Sequence, residues 1–204
     1  MGESKLAGIQ WVRQQSVGMY AAMNEALNFG SGEVITFLHA DDAFAHNRVC
    51  ELAMNSLGIY NTVQAVFGDV KVVASQWWNR RYIASKWWHP YWLTWGFMSP
   101  QPGCFIRTKA FCAVGPFLDT MQIGADFEWL LRFHVKQQFI SKWIDGIQVD
   151  MLFQGISMRG KESRKTITRE IEQALLRQDL AVNRWKLWMR FPLKGFGIVR
   201  ALWR

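Results

Sequence analysis

An α/β fold with a helical, basic C-terminal region is what this 204-residue sequence predicts, and three observations carry that expectation. A short apolar run, Val34-Ile35-Thr36-Phe37-Leu38, opens after Gly30-Ser31-Gly32 and stops on two acids, Asp41 and Asp42. That pattern suits a buried strand of about 4–8 residues bounded by turns. A helix-periodic segment stands directly before it. The third observation is charge. Residues 159–204 hold 12 Lys+Arg against 4 Asp+Glu, and residues 1–158 hold 12 of each, so the formal +8 belongs to the last stretch alone.

Taken in order, Gly18 to Leu27 fits a helix with Met19, Met23, Ala26 and Leu27 on one face, ended by Gly30. Helix, glycine turn and acid-ended strand make one αβ unit. Ligands of open α/β sheets bind at the carboxyl ends of strands, so Asp41 and Asp42 stand where chemistry is expected. Their oxygens suit a hard divalent cation, Mg²⁺ or Mn²⁺, which in turn clamps phosphates. The competing reading is an N-cap, in which either acid accepts backbone N–H groups at the start of a following helix. Spacing alone does not choose between the two.

In the last stretch, Ile167, Ile171 and Leu175 step by four, which predicts an amphipathic helix from Ser163 with Lys165, Arg169 and Arg177 exposed. Beyond it, Arg184-Trp185-Lys186-Leu187-Trp188-Met189-Arg190-Phe191-Pro192-Leu193-Lys194-Gly195-Phe196 interleaves bases with large aromatics. No run reaches the roughly 18 apolar residues of a membrane span. Basic residues with Trp and Phe suit a segment lying in the bilayer interface, rings at headgroup depth and cations against anionic lipid. The alternative is an arm that packs on the body and turns a solvated basic face outward. A nucleic-acid partner is not expected, because the body is charge-neutral and holds no recognisable nucleic-acid module. The tryptophans from Trp77-Trp78 through Trp87-Trp88 to Trp92 and Trp95 read as core, with stacking on an acceptor sugar or a membrane-facing ledge as alternatives. Arg80, Arg81 and Lys86 among them leave a membrane-proximal or pyrophosphate-contacting loop open.

Composition limits the rest. Half the residues are apolar, enough for one domain with a core plus an appendage. Met1 to Lys5 runs into polar sequence, so no targeting peptide is expected. Cys50, Cys104 and Cys112 show neither metal spacing nor a disulfide framework, which favours a reducing, cytoplasmic setting. His46, His89 and His134 read as surface or packing residues, while His39 sits beside the acidic pair.

The segments Gly18 to Leu27 and Gly30 to Asp42 together resemble the family 2 glycosyltransferases of the GT-A fold, in which a G-[IM]-Y-D-A-M-N helix leads to a strand ending in an Asp-x-Asp-type metal motif. The resemblance continues through Gly68-Asp69-Val70, Met98-Ser99-Pro100-Gln101-Pro102-Gly103-Cys104-Phe105-Ile106-Arg107 and Gly124-Ala125-Asp126-Phe127-Glu128-Trp129-Leu130-Leu131-Arg132. It covers Gly8 to Gly160. Ala21 stands where the family usually has Asp, His39 where Asn or Asp opens the metal motif, and Gln101 where His often precedes the Pro of the acceptor-side loop. Family members begin with a strand and a Ser-rich turn that hold the nucleotide base, then a helix and a second strand. None of this precedes Met1, and Ile9-Gln10-Trp11-Val12-Arg13 looks like the third strand. The resemblance therefore implies a GT-A, nucleotide-diphospho-sugar transferase-like (Rossmann-like) mixed sheet, incomplete at the N-terminus, over residues 1–160, and a basic amphipathic, aromatic-rich region over residues 161–204.

The activity implied is transfer of a sugar from a nucleotide-sugar donor to a saccharide or lipid-linked acceptor, in cell-surface polysaccharide or glycan biosynthesis, at the cytoplasmic face of a membrane. A divalent metal at Asp41 and Asp42 would neutralise the departing diphosphate. His39, Asp41, Asp42 and Asn24 are the residues expected around the donor. Asp126 matches the family's base, which takes the proton of the acceptor hydroxyl; without the family match it reads as an acid favoured by a helix dipole. Glu128 is a second candidate. A different class stays open: a non-catalytic glycosyltransferase-like module that binds a partner or a membrane.

Overall fold

The computed structural model describes residues 8–75, 78–82, 88–152 and 160–202. Its centre is β3 (Val63–Ser75), whose apolar run is covered on both faces, as in strands from the middle of a sheet. Strands β1 (Val34–Ile35), β2 (Asp42–Phe44), β4 (Trp78–Tyr82), β5 (Cys104–Arg107) and β6 (Ile140–Leu152) join it in one mixed sheet of order β1-β5-β3-β6-β2, with β4 also on β3. Only β6 runs parallel to β3; the other pairings are antiparallel.

Alternation along the strands, broken by a register shift between Val63 and Ala65, sorts the core into two layers. Val63, Val66 and Phe105 face helix α2 (Val49–Ile59), which returns Val49, Ala53 and Leu57 at helical spacing. Ala65, Phe67, Cys104 and Ile106 face the opposite layer. That layer holds α1 (Met19–Ala26), α3 (Thr108–Val114), α4 (Ala125–Leu131) and α5 (Gly160–Arg177). Helix α6 (Arg184–Leu202) follows, its first turn capped by Asn183, which accepts the Lys186 N–H. Ile171, Ala174, Leu175 and Leu187 belong to the same apolar cluster as Phe127 and Trp129, so the core continues across residue 160.

Several expectations are corrected. Ile9–Arg13 form no ladder, because no described strand lies alongside to take their backbone groups. Trp11 there is 91% exposed. The strand expected through Leu38 pairs only at Val34 and Ile35, opposite Arg107 and Ile106. Asp42 does not cap a helix: it opens β2 opposite Met151, and α2 starts only at Val49. Helix α1 forms where expected but is rotated. It buries Tyr20 and Met23 and leaves Met19 and Ala26 exposed, since the Tyr20 ring packs on Phe117. The basic helix from residue 163 exposes Lys165, Arg169 and Arg177 as expected. Trp77, Lys86 and Trp87 lie outside the described residues, as do the side chains of Trp78, Arg80, Arg81, Lys194 and Phe196.

Candidate active site

Two turns lie within electrostatic reach of one another, since His39 of the first acts on Asp126 just after the second. The first is His39 to Asp42, closed by the Asp42 N–H on the His39 carbonyl at 3.0 Å. Asp41 is exposed on it. Asp42 is half-buried, and burial raises its carboxyl above the usual range, partly countered by His39. Its Oδ2 is shut off from solvent without a hydrogen-bond partner. The second turn, Gln122 to Gly124, leads into α4 and presents Asp126 in that helix's first turn.

Two groups hold the Asp126 carboxyl. The Tyr20 hydroxyl donates to the Ile123 carbonyl at 2.6 Å and lies 3.2 Å from Asp126 Oδ1, which also accepts the Phe127 N–H at 2.8 Å. Although the residue is only half-buried, protein encloses its carboxyl, and desolvation pushes the pKa up to about 6 against the lowering pull of these donors and of His39. The same carboxyl, with burial, drives the Tyr20 phenol upward and keeps it protonated as a donor. His39 therefore acts electrostatically on both acids, Asp42 and Asp126, and is the link between the two turns. Behind Asp126 lies a cavity of about 20 Å³, room for one water, bordered by Ser99, Gln101, Cys104 and His134. Burial pushes the Cys104 thiol up to about 12, which leaves it inert, and lowers His134 to about 4.

Two expected site residues do other work. Asn24 spends its amide on the backbone of Phe117, donating to the carbonyl and accepting the N–H at 2.9 Å each, so it braces the loop before α4. Glu128 is buried, and both its oxygens accept from Arg132, which also donates to the Val114 and Pro116 carbonyls. Its carboxylate is therefore engaged in holding Arg132 against the Val114–Pro116 turn. Trp129 Nε1 donates to Gly115 of the same turn. Sequence reasoning missed Tyr20 and Glu170 as site residues. Tyr20 stood in plain view inside the Gly18-Met19-Tyr20 motif. Glu170 carried a signal too: an acid beside Ile171, on the stripe that Ile167 and Ala174 share.

Among the described residues no cluster of three or more His, Cys, Asp or Glu could by itself cage a metal ion. Two neighbouring carboxylates, one with an orphaned buried oxygen, are nonetheless a donor set that suits Mg²⁺ or Mn²⁺, which take one or two carboxylates and complete their shell with waters and substrate phosphates.

A family model, Glycosyl transferase family 2, matches residues 5–115, more than half of the chain. The chain belongs to glycosyl transferase family 2. The match takes in α1, the His39–Asp42 turn and the Gln101–Arg107 segment. Among solved structures, Staphylococcus aureus TarS 1-349 in complex with UDP-GlcNAc superposes with a TM-score of 0.59 at 15% identity, covering 83% of this chain and 50% of that one. A second crystal structure of TarS 1-349 gives 0.56 at 15% identity, covering 80% of this chain and 47% of that one. These likenesses show the fold, a GT-A mixed α/β sheet, and the family 2 chain spans about half the length of those structures. No curated protein matches the chain.

Proposed function

We propose that this family 2 chain works as a nucleotide-sugar glycosyltransferase that moves a sugar to a saccharide or lipid-linked acceptor in cell-surface glycan synthesis. The observation that carries the reading is the meeting of the His39–Asp42 turn with Asp126, an enclosed carboxyl with a pKa pushed up to about 6. A base of that strength accepts a hydroxyl proton as the oxygen attacks and can release it again near neutral pH. The UDP-GlcNAc in the TarS structure supports a nucleotide sugar as the donor class.

Asp41, with Asp42 behind it, would hold a divalent cation that offsets the charge of the leaving diphosphate. Asp126 takes the acceptor proton, the Tyr20 hydroxyl 3.2 Å away steadies its rotamer, and the apolar wall of Phe117, Trp129 and Leu130 keeps water from competing. Work at the cytoplasmic face of a membrane is part of the proposal. It is supported by the basic α6 region, where Trp185 and Trp188 are 61% and 63% exposed and Lys186 lies over the rings of Tyr91 and Trp95.

The test is calorimetric titration of UDP-GlcNAc with and without Mn²⁺. Wild type should bind in a Mn²⁺-dependent way, and Asp41→Ala should lose that dependence while melting as wild type does. Equal Mn²⁺-dependent binding by the variant would remove Asp41 from the donor site.

A further inference from the structure

Glu170 sits on α5, in the basic region, yet it points into the body and is 5% exposed. Its Oε1 accepts the Gln122 N–H at 2.7 Å; its Oε2 accepts those of Ile123 at 3.0 Å and Gly124 at 2.8 Å. Three successive backbone donors converge on one carboxylate, and bonds of this charge-assisted kind are about twice as strong as neutral ones. The turn they hold is the one that ends two residues before Asp126. Tyr20 grips the same turn from the other side through the Ile123 carbonyl, and then reaches Asp126 itself. Gly124 is what lets the clamp close: a Cβ there would stand 3.1 Å from Glu170 Cβ and 3.2 Å from its Oε2.

We infer that Glu170 is a positioning residue for Asp126, so that a single carboxylate from the C-terminal region aims the base of the proposed transferase. The clamp never touches the reacting atoms. It fixes where α4 begins, and with it the direction in which the Asp126 carboxyl leaves the helix. The inference rests on the reading of Asp126 as the base, but its test needs no substrate.

The experiment follows the Asp126 carboxyl carbon by NMR through a pH titration of the full chain, together with amide hydrogen exchange, in wild type, Glu170→Ala and Gly124→Ala. Wild type should titrate near 6. In both variants the Gln122, Ile123 and Gly124 amides should exchange at least about tenfold faster, since each loses a bond to a charged acceptor. Amides of β3 should keep wild-type protection. As the turn relaxes and water reaches the carboxyl, its midpoint should fall toward the ordinary value of about 4. Gly124→Ala retains the Glu170 charge, so a fall in that variant reports position and not lost repulsion. A wild-type midpoint in variants whose three amides have opened would overturn the inference, and so would unchanged exchange. Should Glu170→Ala fail to fold, Gly124→Ala decides by the same criterion. A normal sugar-transfer rate in Asp126→Asn would instead strike at the base assignment and leave the clamp standing.

Discussion

Asp126 shows how one side chain can be costly to the fold and still suit the chemistry proposed for it. Its pKa is raised on folding, from about 4 to about 6, because desolvation outweighs three stabilising donors. The protonated form is thus the one the folded state prefers. Its contribution is fully present below about pH 4 and is lost as pH rises through about 6. Asp126→Asn cannot ionise. Thermal melts should therefore show wild type and variant alike near pH 4, with the variant more stable above pH 6 by at most about 3 kcal/mol. Sugar transfer by the variant should fall at least about 10²-fold. A variant less stable than wild type at neutral pH would show that the donors, not desolvation, dominate.

At the scale of elements, α4 is pinned by its own side chains. Glu128 and Arg132 pair at 2.9 Å with side-chain exposures of 3% and 13%, and Arg132 carries the Val114 and Pro116 carbonyls besides. Trp129 adds a third bond to the same turn and stacks on Phe111 at 4.8 Å. Arg132→Ala would leave a buried carboxylate and two carbonyls without a donor. Urea denaturation should show a loss of about 3–5 kcal/mol. Replacing both partners, Glu128→Leu with Arg132→Met, should recover most of it, because the unpaired charge disappears with its partner. A double variant as unstable as Arg132→Ala would point to the carbonyl contacts as the larger share.

Across the whole molecule, the basic C-terminal region has two faces. Ile171, Ala174, Leu175 and Leu187 pack into the body, and Arg190, 2% exposed, turns inward to donate to Thr168. Trp185 and Trp188 turn outward, the Trp185 ring against Trp95 at 6.3 Å, and Tyr91 and Trp92 are exposed as well. Packing and the proposed membrane contact therefore draw on different residues. Trp185→Ser with Trp188→Ser should lower binding to anionic vesicles severalfold at unchanged melting temperature. Wild-type binding should weaken with added salt yet persist, because ring insertion is not screened. Sedimentation that finds the double variant bound as tightly as wild type would leave α6 a packing arm alone.

What the sequence determined by itself was whatever is encoded locally. Helix α1 and its glycine stop, the amphipathic stripe of α5, and the family match that takes in Asp41 and Asp42 all depend on residues a few positions apart, where periodicity and motif spacing are direct signals. Pairing was not legible. Val34–Leu38 reads as a full strand, but a ladder needs a neighbour, and only Val34 and Ile35 find one in β5. Nor was the rotation of α1 legible, since Met19 and Tyr20 are both apolar enough to face inward and only Phe117 decides between them. Tertiary structure alone brought Tyr20 to Asp126 across 106 positions of chain, and Glu170 to Gln122, at the start of the turn before Asp126, across 48. A carboxylate's role depends on which donors surround it, and those donors are assembled by the packing of distant elements rather than by the residues beside it.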